Sequence, residues 1–87
     1  MRGLTNEIEL GAALRERRKR TDLTQARLAD LAGVSRAFVI DLERGRRPRA
    51  ELNRVLAVVR ALDAAVTLVD HHEVSPEDLL ATLLGKR

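Results

Sequence analysis

At 87 residues the chain is long enough for one domain with one modest core. It has no cysteine, which excludes a disulfide framework and a thiolate metal site, and with one Phe and no Trp or Tyr it lacks the stacking platforms of single-strand and RNA readers. The net charge of +3 hides an asymmetry, because residues 1–60 carry 14 Lys and Arg against 8 Asp and Glu, whereas residues 61–87 carry 2 against 5. No apolar run approaches the roughly 18–20 residues of a membrane span. No apolar signal region opens the chain either, so the cytoplasm is the expected compartment.

The first predicted helix spans about Glu7 to Arg20, with Asn6 as its cap and Glu9 completing a capping box. Leu10 and Leu14, four apart, face inward, and Gly11 costs this helix about 1 kcal/mol relative to Ala unless it permits close packing. The run Arg15–Arg20 reads as solvated or near phosphate. A second helix starts after Thr24, a good N-cap, with Gln25 at its first position. A third starts after Ser35 and ends at Gly45, which suits the position after a helix C-terminus. Between the two, Gly33 supplies the backbone freedom of a short turn, small Ala29 lets one helix cross the other closely, and Leu28, Val34, Val39 and Leu42 fill the space between them. This combination of offsets is that of a helix-turn-helix and points to sequence-specific binding of duplex DNA.

The basic charge lies in and around this unit, where phosphate contacts would be. Arg dominates Lys in it, and Arg grips guanine or phosphate with two hydrogen bonds where Lys cannot. Arg46, Arg47 and Arg49 flank Pro48 in the loop after the third helix, beside the expected path of the DNA backbone. Together with Thr24 and Arg44 they are the expected phosphate contacts. A fourth helix from about Ala50 to Leu62 carries an apolar stripe of Leu52, Val55, Leu56, Val59 and Leu62. The character then changes. Ala65, Val66, Thr67, Leu68 and Val69 read as a strand, and a lone strand must pair with another chain to satisfy its backbone, most simply with its own copy across a two-fold axis. Three regions follow: a helix-turn-helix domain at 1–63, a dimerisation strand at 64–70 and a tail at 71–87.

The tail opens with His71, His72 and Glu73, the one cluster with catalytic or metal-binding potential. Adjacent histidines in a polar segment are usually solvated, and no further His completes a site, so neither a metal, nor a cofactor, nor an enzyme is expected. Ser75 and Pro76 then start a short helix with Leu79, Leu80, Leu83 and Leu84 on one side and Gly85 at its end. A helix of about ten residues needs a surface to pack on. Its own core, the dimer mate and another protein all remain open.

The run Leu23-Thr24-Gln25, Leu28-Ala29, Gly33-Val34-Ser35-Arg36 and Leu42-Glu43-Arg44-Gly45 resembles the Xre/Cro-repressor family over about residues 8–62. The segment from Ala65 to Asp70 directly after the fourth helix looks like the HipB branch of that family. The resemblance implies a mainly α, lambda-repressor-like bundle of four to five helices, with one C-terminal strand forming an intermolecular sheet in a homodimer. It implies a repressor of its own operon that acts as an antitoxin against a HipA-type serine/threonine kinase toxin. The alternative is a stand-alone Xre-type regulator, and a neighbouring kinase gene would separate the two. Residue by residue, the resemblance places Gln25 at a phosphate or base-edge contact. It places Ser35, Arg36, Ala37 and Asp41 on the helix face that enters the major groove. Glu43 matches a family acid that pairs with an arginine of the first helix, at the position of Arg18. Two departures stand out. Asp41 would repel phosphate unless it accepts from a cytosine amino group, and bulky Phe38 either meets a thymine methyl or packs against the second helix.

Overall fold

The computed structural model describes residues 3–71 and 83–85. Among them are four helices, α1 Glu7–Arg20, α2 Gln25–Ala32, α3 Arg36–Glu43 and α4 Leu52–Ala61, and none is long and apolar enough to cross a membrane. Each of the first three begins where a side chain can satisfy its orphan N–H groups. Asn6 accepts from the Glu9 N–H, Thr24 from the Arg27 N–H and Ser35 from the Phe38 N–H. The Glu9 carboxylate accepts from the Thr5 backbone and hydroxyl, at 2.7 and 3.0 Å.

Helix α2 ends on Gly33, whose φ of 70° lies in the left-handed region. There the Val34 N–H reaches back to the Ala29 carbonyl and the Gly33 N–H to that of Asp30, the paired bonds that close a helix on such a residue. The chain turns at once into α3, so the two short helices pack on each other, and α2 also rests on α4 while α1 rests on α3. One side chain set fills the space between all four: Leu14 from α1, Leu28 and Ala29 from α2, Phe38, Val39 and Leu42 from α3, and Val58, Val59 and Leu62 at the end of α4. Phe38 is therefore core, packed rather than offered to a thymine.

Helix α1 approaches α3 at Gly11. A Cβ placed on this residue would sit 2.3 Å from the Leu42 carbonyl oxygen and 2.8 Å from that of Glu43. The glycine is thus the contact point of two helices, and its low helix propensity is outweighed by the proximity it allows.

Three expectations are corrected. Helix α4 starts at Leu52 rather than at Ala50, because the Ala50 N–H closes a turn onto the Arg47 carbonyl and Glu51 supplies no side-chain cap. Its apolar stripe is also divided: Val59 and Leu62 enter the core, whereas Leu52 is 69% exposed and Val55 and Leu56 are half-buried. No strand forms at Ala65, Val66, Thr67, Leu68 and Val69, nor elsewhere among the described residues. A strand is defined by its paired neighbour, and this segment has no ladder partner among the described residues. It runs extended and exposed, Leu68 at 94%, with Val69 against Gly3. Of the expected tail helix, Ser75, Pro76, Leu79 and Leu80 lie outside the described residues, as do His72 and Glu73, while Leu83 and Leu84 are exposed.

Helices α1 and α4 and the segment 64–69 enclose a groove of about 840 Å³ floored by Leu10, Ala13 and Leu14 on one side and Leu52, Val55, Leu56 and Val59 on the other.

The Gly11 contact makes a direct prediction. Gly11→Ala raises local helix propensity by about 1 kcal/mol yet overpacks the crossing, at a typical cost of about 1–3 kcal/mol. The variant is expected to unfold at lower urea concentration than the wild type, measured by circular dichroism. An unchanged or higher midpoint would mean that α1 and α3 do not meet here.

Candidate nucleic-acid interface

Helix α3 has two faces. Phe38, Val39, Leu42 and Glu43 point into the protein, while Arg36 and Ala37 are exposed, Ile40 and Asp41 half-buried and Arg44 exposed. The outward set falls at i, i+1, i+4, i+5 and i+8, a single stripe of an α-helix. Ser35, exposed at the head of this stripe, has its hydroxyl oxygen committed to the Phe38 N–H at 3.0 Å. Thr24 is likewise exposed and is bound to the Arg27 N–H.

The inward face is locked by an ion pair. The Arg18 Nε donates to Glu43 Oε2 at 2.6 Å and a terminal nitrogen donates to Oε1 at 3.0 Å, so the guanidinium grips the carboxylate with both arms. Burial is deep, with side-chain exposures of 11% and 2%. Moving such charges out of water costs several kcal/mol per ion, and the pair persists only if the remaining donors and acceptors are met. They are. The third Arg18 nitrogen donates to the Leu23 carbonyl at 2.8 Å, and Gln25 Nε2 donates to Glu43 Oε1 at 3.1 Å. No buried side-chain nitrogen or oxygen lacks a partner among the described residues.

Gln25 is therefore half-buried and tied through its amide N–H to the carboxylate that joins α1 to α3. The structure thus ties one arm of this amide to the ion pair.

The exit from α3 carries the arginines. A turn at Gly45 returns the Gly45 N–H to the Leu42 carbonyl and the Arg46 N–H to that of Asp41, at 2.9 Å for the latter. This fastens the loop to the end of the helix. Arg46, Arg47 and Arg49 are exposed beyond it. They are not equivalent. Arg46 and Arg49 make no ion pair or side-chain hydrogen bond among the described residues. The Arg47 Nε lies 3.5 Å from Asp41 Oδ2, and its guanidinium carbon is 5.4 Å from the centre of the Phe38 ring.

Sequence reasoning passed over Arg17. In a run of basic residues it looked solvated, but its Nε donates to the Leu62 carbonyl at 2.9 Å and a terminal nitrogen to that of Asp63 at 2.8 Å. It thereby ties the two residues that follow α4 to α1. Its partners are backbone atoms 45 and 46 residues away, which no side-chain pattern announces. The remaining members of the run, Arg15, Glu16, Lys19 and Arg20, are exposed. Among the described residues no group of three or more His, Cys, Asp or Glu side chains is placed to hold a metal ion.

This arrangement, a short helix presented outward on a compact helical base and followed by a basic loop, is that of a DNA-reading helix-turn-helix. A helix-turn-helix domain family matches the chain over residues 9–72. An uncharacterized HTH-type transcriptional regulator, y4mF of Sinorhizobium fredii (strain NBRC 101917 / NGR234), is 38% identical over 61 residues, which are 70% of this chain and 79% of that protein. The crystal structure of the restriction-modification controller protein C.AhdI from Aeromonas hydrophila is similar with a TM-score of 0.63 at 38% identity, covering 67% of this chain and 86% of that one. The chain belongs to the family of helix-turn-helix transcriptional regulators.

The ion pair supplies a second prediction. Glu43→Gln leaves Arg18 charged and buried without its counter-ion, a loss of about 3–5 kcal/mol for a pair of this depth. The double variant Arg18→Met with Glu43→Leu removes both charges and is expected to be more stable than Glu43→Gln alone. Chemical denaturation of the three proteins checks the order. Near-wild-type stability of Glu43→Gln would show the pair to be solvated, worth about 0–1 kcal/mol.

Proposed function

We propose that the protein is a dimeric repressor that reads operator DNA with the outward stripe of α3. The observation that carries this reading is the single face formed by Arg36, Ala37, Asp41 and Arg44, bordered by a loop of exposed arginines. A helix of this kind meets base edges in the major groove through its N-terminal half. Ser35, Arg36, Ala37 and Asp41 are then the side chains nearest the bases, with Gln25 at the edge of the same surface. Thr24, Arg44, Arg46 and Arg49 lie where the phosphates of the two strands would pass, and phosphate contacts set register and affinity without reading sequence.

Two copies are needed to read both halves of a palindrome, with their recognition helices about 34–36 Å apart. The exposed extended segment Ala65, Val66, Thr67, Leu68 and Val69 and the adjoining apolar groove support a two-fold partner. Pairing of this segment with its own copy in antiparallel register would satisfy backbone groups that have no ladder partner among the described residues, and would cover Leu68.

The same exposed apolar segment supports a second reading. A regulator of the HipB kind uses its body to hold a HipA-type kinase toxin, and such a partner would also cover this surface. Co-purification of the tagged protein from its own host, with identification of what accompanies it, separates an antitoxin from a stand-alone regulator.

Binding is tested by selecting duplexes from a randomised library with the wild-type protein. Arg36→Ala is expected to cost about 1–3 kcal/mol on the selected duplex and to relax preference at one base pair. An equal loss on selected and random DNA would make Arg36 a phosphate contact. Arg46→Ala and Arg49→Ala should each weaken all duplexes alike and reduce the salt slope by about one unit. A slope that neither variant changes places the loop away from DNA.

Thr67→Pro tests the dimer. It removes one ladder donor and breaks the pairing, while the core of α1–α4 does not involve it. The variant should stay helical, sediment as a monomer and bind the full duplex far more weakly. A dimer of unchanged affinity would exclude this segment as the contact and leave the groove face of α4.

A further inference from the structure

We propose that Asp41 and Phe38 convert Arg47 from a phosphate clamp into a base-reading side chain that works beside α3, so that Asp41 and Arg47 act as one specificity unit for a guanine edge. The inference rests on the DNA-binding reading above and assigns Arg47 a different task from that of its neighbours in the loop.

A phosphate clamp needs a cation at the end of a free stem. Arg46 and Arg49 fit that description, being exposed with no side-chain partner among the described residues. Arg47 does not. Phe38 is 3% exposed and held by the core, so its ring is a fixed platform, and the Arg47 guanidinium lies over it at 5.4 Å. Asp41 Oδ2 stands 3.5 Å from the Arg47 Nε. Asp41 belongs to the outward stripe of α3, and its own carbonyl anchors the loop through the Arg46 N–H. The guanidinium is therefore drawn onto the stripe that faces the bases.

The chemistry that results is specific. Arg carries five N–H donors, and the one nearest Asp41 is on Nε. The terminal nitrogens keep the planar fork that matches the O6 and N7 acceptors of guanine. The carboxylate beside the fork cancels its charge and repels phosphate. Such a pair contributes little to non-specific attraction and much to discrimination, since a base that lacks the two acceptors leaves the terminal N–H groups of the fork without partners. A solvated ion pair of this kind adds little to stability, so variants at both positions are expected to fold and their effects to appear in DNA binding.

The test uses the full chain, a duplex enriched from a randomised library by the wild-type protein, and sheared duplex DNA of random sequence. Arg47→Ala should weaken the enriched duplex about tenfold or more and random DNA by less than about twofold, flatten preference at one position, and leave the salt slope nearly unchanged, in contrast with Arg46→Ala. Arg47→Lys keeps the charge but lacks the fork, and should not restore the preference. Asp41→Asn should flatten the same position, and the double variant Asp41→Asn with Arg47→Ala should show the same preference as Arg47→Ala alone, because the acid acts through the arginine. Two results overturn the proposal. One is a loss in Arg47→Ala that is equal on both DNAs with a slope reduced by about one unit, which makes Arg47 a phosphate clamp. The other is an Asp41→Asn variant with its preference intact. Failure of the wild-type protein to enrich any duplex would instead remove the DNA-binding reading, and this inference with it.

Discussion

The structure depends on one buried ion pair. Arg18 on α1 and Glu43 at the end of α3 meet with both arms of the guanidinium, and the Leu23 carbonyl and the Gln25 amide complete the set. The four residues come from α1, the loop after it, the start of α2 and the end of α3. Fixing them together sets the orientation of α3, which is the element that must be presented outward. An apolar contact of equal volume would hold the helices as strongly, since buried ion pairs seldom exceed a hydrophobic replacement in net stability. What the pair adds is geometry, because two parallel hydrogen bonds tolerate little rotation of either helix.

The Gly11 crossing reinforces the same joint. Backbone meets backbone where α1 passes Leu42 and Glu43, within a turn or two of the ion pair along each helix. The end of α4 is tied to α1 separately, through the Arg17 guanidinium on the Leu62 and Asp63 carbonyls. Adjacent arginines thus face different ways: Arg18 to α3 and Arg17 to α4. Successive positions on an α-helix are about 100° apart, so neighbours in sequence naturally serve neighbouring partners in space. Two residues of a basic run become structural, and the charge left on the surface near α3 belongs to Arg36, Arg44 and the loop.

The division of α4 has a similar origin. Its stripe is wider than the core can cover, so Val58, Val59 and Leu62 are buried while Leu52, Val55 and Leu56 border the open groove. The apolar segment 65–69 borders it too. A chain of this size has limited interior volume, and apolar residues in excess of it collect on one surface, which is where a second chain would be received.

Much of the fold was legible in the sequence, for local reasons. Asn6, Thr24 and Ser35 mark helix starts because a short polar side chain can reach an orphan N–H, and Gly33 and Gly45 mark helix ends because the left-handed turn favours glycine. The spacing of Leu28, Ala29, Val39 and Leu42 places them on facing sides of two short helices without any long-range information. The outward face of α3 follows from the same periodicity. Tertiary structure alone decided which charges are buried. The resemblance singles out Arg18, but nothing local separates Arg17 from Lys19 and Arg20, or Arg47 from Arg46 and Arg49, because their partners are backbone carbonyls, a carboxylate and a ring brought near by folding. The segment 65–69 shows the converse limit. Its composition favours a strand, but a strand exists only with a hydrogen-bonding neighbour, and the described residues supply none.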